Sequence, residues 1–507
     1  MVTAVWGDWH IAAHFELNLP SLLSPNNLPA FVARHDLAYE IHTRQSDVAR
    51  IAGSPTYRAL RQLVNVSIHV IADDELEDPI AAHHKIWSRV TARAERAGCY
   101  ALLMPPDVAW SDGSFRCLAD LLAAGKKAIM MTYMRVVSET FATEAARFLA
   151  AEGKKGIPAR ALVSLALRHI HPIMSAYVRN SPYFPIHQEM MLWPVKDEGI
   201  LVRVFAREMF LFDPRAFARN HAQLIANDFK ASDIHFISDS DELFGISLTP
   251  LGKDVGWHLD RRAADPQQIA QWWLLYDSPA NDLVASTNIR WHFAPITEKK
   301  WRAREQGADL LVRRAAIARE QQRVLRTISG LPGCSLMAVL YSSALAAGQI
   351  RFPRVRRERF LILVPENLAI ESTPPASMLD PAFLALTLAA HIAPWEGDGD
   401  GSSEAMTLAK FEARMPLTLR SASGDTWTIR WGNRLRRRLI VETSRGITAR
   451  VIHGPLASGR HIVCIIGDML FAQAGSAGQE RWGGGATLRD VPAAERASPI
   501  GFPSARS

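Results

Sequence analysis

Short apolar runs alternate with longer stretches of helical spacing through the first 135 residues. Residues 2–6, 37–43, 64–71, the run opening at Tyr100 and residues 127–134 are rich in buried-strand residue types and bounded by turn formers, so each predicts a strand. Between them, residues 78–97 predict a helix with acids at its start and Gly98 just past its end. Phe115, Leu118 and Leu121 place another helix over 113–122. This alternation predicts an α/β fold on a predominantly parallel sheet.

The pattern changes beyond residue 135, where 136–152 and 158–169 predict helices and 199–212 holds alternating apolar positions that fit one or two strands of a mixed sheet. Residues 233–238 predict another strand, ending in the acids Asp239, Asp241 and Glu242. A basic helix follows over 298–328, with Leu310, Leu311, Ile317, Val324 and Ile328 on a helical rhythm. A strand at 359–364, a helix at 381–392 and β-rich runs at 415–431 and 439–452 predict an accessory α+β domain. Residues 396–403 read as a linker, and glycine, alanine, proline and serine dominate from 475, which predicts a disordered tail.

Length and composition limit the function classes. The 507 residues exceed one ordinary core, and 48% hydrophobic with 21% charged residues is a globular balance. A net charge of +7 spread along the chain is compatible with anionic ligands but singles out no nucleic acid. The four cysteines lack CxxC spacing, so neither a zinc knuckle nor a disulfide framework is indicated. No secretory signal and no membrane-spanning run is evident, and the expected location is the cytoplasm. The basic helix offers a peripheral membrane contact as an alternative to a solvated face.

The strongest chemical signal is the stretch from Tyr100 to Phe115, where an apolar run ends in two prolines and the carboxylates Asp107 and Asp112. In open α/β sheets ligands sit beyond the carboxyl ends of strands. Asp107 and Asp112 can there hold Mg2+ or Mn2+ on a diphosphate, while Lys85 and Arg89, four apart on one helix face, can meet its phosphates. Asp239, Asp241 and Glu242 can hold a metal or remove a proton from an attacking hydroxyl. The structural alternatives are helix caps for the acids and an exposed face for the cations. No P-loop, dinucleotide fingerprint, HExxH or GxSxG occurs.

The order of a Val5-Trp6-Gly7 strand end, a Ser21-to-Pro29 segment, the Lys85/Arg89 helix and Pro106-to-Ser114 resembles nucleotide-sugar glycosyltransferases of the GT-A type. The resemblance covers roughly residues 1–297 and implies a GT-A-like, Rossmann-type mixed sheet, with a donor half at 1–135 and an acceptor half at 136–297. It implies that Trp6, Lys85, Arg89, Asp107 and Asp112 contact the nucleotide sugar, with Asp107 and Asp112 as metal ligands. Asp239, Asp241 and Glu242 would serve catalysis on a glycan, lipid or protein acceptor. Residues 298–329 would connect this domain to the accessory domain at 330–474, ahead of the tail at 475–507. The sequence departs from the family in lacking a strict Asp-x-Asp at Asp107. A non-catalytic scaffold of the same fold and a metal-dependent hydrolase of phosphorylated substrates are the competing expectations.

Overall fold

The computed structural model describes residues 1–151, 156–185, 189–205, 209–216, 229–252, 259–260, 263–276, 279–346, 359–371, 381–395, 415–433, 438–458, 461–467 and 469–470. The expected linker at 396–403 and tail at 475–507 lie outside them. Two compact units divide the chain between Ala315 and Ala316, inside the single helix Glu298–Ser329.

In the first unit seven strands form one sheet. They are β1 (Val2–Ala4), β2 (Ala38–Arg44), β3 (Asn65–Ile71), β4 (Ala101–Met104), β5 (Ala128–Met130), β6 (Met209–Phe212) and β7 (Ile234–Phe236), in the order β7-β5-β6-β4-β1-β2-β3. Neighbours are parallel except at β6, which runs antiparallel to both β4 and β5. The fold is therefore mixed α/β. The chain lays β2 and β3 on one side of β1 and then returns to place β4 on the other. That reversal is a topological switch point, which leaves a crevice at the strand ends.

Two expected strands are each divided between sheets. Residues 127–134 supply β5 and the start of Met134–Val137, which joins Val108–Trp110 and Gly245–Thr249 in a second sheet. Residues 199–212 supply β6 and Gly199–Val204, which pairs with Met190–Val195 and Ile289–His292 in a third. The strands on either side of each break are buried, so apolar content alone does not say that they belong to different sheets. The helix expected from 136 begins at Ser138, because Val136 and Val137 still pair with Leu248 and Thr249.

Side-chain alternation along the strands sorts residues onto two faces. Tyr39, Ile41, Leu102, Met104 and Ile129 enter a core with Phe15, Leu19, Leu22 and Trp110. Glu40, His42 and Leu103 consequently face the other way, toward the helix Pro79–Ala97, which buries Ala82, Ile86 and Val90. Asp78 caps that helix by accepting from the Ile80 and Ala81 amides at 3.0 Å each, an arrangement typically worth about 1 kcal/mol.

The second unit contains the expected accessory sheet. Its order is Ile392–Trp395, Arg359–Pro365, His461–Ile466, Thr448–Ser458, Arg438–Thr443, Thr426–Asn433, Leu417–Arg420. Period-two alternation divides its interior: Phe360, Ile362 and Val364 join one core with Val324 and Tyr341, and Leu361 and Leu363 join another with Trp427 and Val441.

Candidate functional site

The loop leaving β4 is held in place by the N-terminal helical region. A π-helical turn, His14–Asn18, carries Asn18, whose Nδ2 donates to the Pro105 carbonyl at 3.1 Å and to the Val108 carbonyl. Complete burial keeps His14 uncharged, lowering its pKa to about 3, with the nearby Pro106 carbonyl offsetting part of that effect. Farther along, Ser21 Oγ accepts from the Trp110 amide at 3.0 Å, and Asn27 Oδ1 accepts from the Gly113 and Phe115 amides at 3.1 and 3.0 Å. The two segments that carry the family resemblance, Ser21 to Pro29 and Pro106 to Ser114, are thus one interlocked structure.

Asp112 belongs to that structure. Its Oδ1 accepts from Ser24 Oγ at 2.8 Å and from the Asn26 amide at 3.1 Å, while Oδ2 accepts from Asn26 Nδ2 at 2.7 Å. Gly156, at φ +92°, leaves no room beside it, since a Cβ there would lie 2.9 Å from Asp112 Cβ. Both oxygens of Asp112 accept from the Ser24–Asn26 loop, and Asp112 lines neither hollow of the cleft described below, whereas Asp107 lines one, so the structure does not bring the expected Asp107–Asp112 pair together as ligands for Mg2+ or Mn2+. Asp112 pins a loop.

Asp107 behaves differently. Its backbone carbonyl accepts from the Leu248 amide at 2.8 Å and its Oδ2 from Ser247 Oγ at 3.0 Å, which fixes the carboxylate at the mouth of a cleft. Two hollows of about 250 and 240 Å³ share Pro105, Tyr133 and Glu189. The larger is walled by Trp87, Phe210, Trp272 and Tyr276; the smaller adds Asp107, Arg135 and Ser247. They lie at the carboxyl ends of β4 and β5 and the start of antiparallel β6, beside the switch point. The cleft therefore combines aromatic faces, two carboxylates and one guanidinium.

Of the other residues expected at the donor site, Trp6 lines neither hollow but packs on the helix that borders the cleft. Its ring lies 4.9 Å from that of His83, whose pKa is lowered by burial, with the Pro79 carbonyl and the Asp107 charge acting in the opposite direction. Lys85 and Arg89 share a face as predicted, but it is the exposed one, and Glu75 takes the Arg89 guanidinium in a bidentate pair. His83 and Trp87, also four apart, are the half-buried pair on this helix. The cue missed in the sequence was this aromatic spacing beside the charged one. Glu189 and Arg135 belonged to no recognised motif.

The second acidic group forms a separate cluster. Asp241 accepts from Arg160 Nε at 3.2 Å and Nη2 at 2.7 Å, which holds its carboxyl below the ordinary range, assisted by His292. Asp239 Oδ1 lies 3.0 Å from Nε2 of buried His292 and accepts from the Asp241 amide at 2.8 Å. Glu242 faces His235 at 3.4 Å. Among the described residues, neither hollow is lined by Asp239, Asp241 or Glu242, so the structure does not bring the expected catalytic acids to the cleft.

Glu40, His42 and His69 also converge, their ligand atoms lying within 4.8 Å of one another. The two rings stack at 4.8 Å with an 18° interplanar angle, so their lone pairs lie in nearly parallel planes, a poor arrangement for two imidazoles to bind one ion. Arg93 occupies the Glu40 oxygen instead. Burial raises the Glu40 pKa, but His42, Arg93 and His69 outweigh it and hold the carboxyl at about 2.

No family model and no curated protein matches the chain. Among solved structures, a FAS1 domain pair from the insect cell adhesion molecule fasciclin I aligns at 10% identity over 70% of this chain and 92% of that one, with a TM-score of 0.23. Among the described residues, no helix is long and apolar enough to cross a membrane.

Proposed function

We propose that the first unit is a GT-A-like glycosyltransferase that binds a nucleotide sugar in the cleft beyond β4 and transfers its sugar to an acceptor hydroxyl. One observation carries this reading: the cleft at the switch point joins stacking surfaces to the fixed carboxylate of Asp107 and to Glu189. The mixed α/β sheet supports it, being compatible with the sheet the family resemblance implies. Aromatic rings suit a base or the apolar face of a sugar. Carboxylates accept from sugar hydroxyls in strong, charge-assisted bonds.

In this reading Asp107, oriented by Ser247, anchors the donor sugar. Arg135 stands where charge gathers on the departing diphosphate. As the acceptor oxygen bonds to the anomeric carbon and the bond to the diphosphate breaks, Glu189 takes the acceptor proton. Arg135 here takes the phosphate role expected of Lys85 and Arg89.

The test is calorimetric titration of the protein with a panel of nucleotide sugars, followed by assays of donor hydrolysis and transfer. One donor is expected to bind, and Asp107→Asn to weaken it about 10- to 100-fold, the effect of losing a hydrogen bond to a charged group. Absence of binding and hydrolysis across the panel would overturn the proposal.

A further inference from the structure

The cluster outside the cleft has a chemistry of its own. His292 ends the strand Ile289–His292 and is 2% exposed. Its Nδ1 lies 3.0 Å from the Ala294 carbonyl oxygen, which can only accept, so Nδ1 carries a proton. Its Nε2 then points at Asp239 Oδ1, 3.0 Å away, and at Asp241 Oδ2, 3.6 Å away. A bare nitrogen lone pair facing two carboxylates is repulsive, so the position selects a cation, either a second proton or a metal ion. An imidazole whose Nδ1–H is tied to a backbone carbonyl is the usual outer-shell arrangement of a metal-binding histidine.

We infer that Asp239, Asp241 and His292 form a binding site for a divalent transition metal of the zinc type. Bonds of about 2.0–2.1 Å in tetrahedral geometry set ligand atoms roughly 3.3 Å apart, and the two nitrogen–oxygen separations bracket that value. Two oxygens and one imidazole favour Zn2+, Co2+ or Mn2+ over Ca2+.

The loop is shaped before any ion arrives. The Ser240 amide donates to the Arg290 carbonyl at 2.9 Å, the His292 amide to Ser240 Oγ at 3.1 Å, and the Asp241 amide to Asp239 Oδ1. Both carboxylates are partly open to solvent, which gives the ion an entry path. Arg160 is the competitor, since its guanidinium already balances Asp241.

The test uses the full chain stripped of metal and titrated with Zn2+ by calorimetry and with Co2+ by visible absorption. No sugar nucleotide is present, so the result is independent of the glycosyltransferase reading. One equivalent is expected to bind. Asp239→Asn should weaken that equivalent by at least about tenfold, with folding checked by circular dichroism, and Glu40→Gln should leave it unchanged. Arg160→Ala should bind about two- to fivefold more tightly, the effect of removing an exposed ion-pair competitor. The inference is overturned if the wild-type chain takes up no ion, or if Asp239→Asn binds it as well as the wild type does.

Discussion

A carboxylate's role depends on which donors reach it first, and Asp107 and Asp112 illustrate this within a single loop. Spacing placed both acids at a strand end, and both are there. The sequence did not reveal that Ser24 and Asn26, some 88 and 86 positions away, supply Asp112 with three donors. Asp112→Ala is expected to cost about 2–4 kcal/mol of stability, because it strips a part-buried network and leaves Asn26 without its partner. Chemical denaturation would measure this, and Asp112→Asn should recover part of it. His14 gives a pH signature. Its folded pKa of about 3 is below the ordinary value of 6.5, so below pH 6.5 the unfolded chain binds a proton that the folded chain does not. Stability contributed by this residue is therefore full above pH 6.5 and falls by up to about 1.4 kcal/mol per pH unit as the pH drops toward 3. Denaturation midpoints across pH 4–7 should flatten in His14→Gln.

At the scale of elements, the helix Pro79–Ala97 was legible in its start, its end and the sharing of a face by Lys85 and Arg89. Which face turned inward was not, because charge and aromatic stripes of equal spacing coexist on it. Burial of Ala82, Ile86 and Val90 decided the matter, and it set Trp87 rather than the two cations at the cleft. Trp87→Ala is accordingly expected to weaken nucleotide-sugar binding by about 1–2 kcal/mol, roughly 5- to 30-fold. The Lys85→Ala, Arg89→Ala pair should change it less than about threefold, as exposed charges do. Titration calorimetry of the variants separates these outcomes. Strand boundaries were less legible still: the apolar runs at 127–134 and 199–212 pointed to strands, but the strands on both sides of each change of sheet are buried, so apolar content does not separate them.

For the whole molecule, the hydrophobic cores among the described residues stay within their units, including one around Trp110 and Phe115 in the first and those on the two faces of the second unit's sheet. Scanning calorimetry is expected to resolve two transitions, with nucleotide sugar raising only the one that belongs to residues 1–315. The interlock between Ser24–Asn27 and Ser111–Phe115 also constrains the order of events as the chain folds. Each of its bonds closes a loop of 84 to 88 residues, so it forms late relative to the local helices on either side. During synthesis, the N-terminal loop has only its local bonds to Ser21 and Ser24 until residues 111–115 have emerged to complete the interlock. A nascent chain halted short of that point should remain open to proteolysis at 24–27, and one extended past β5 should be protected there.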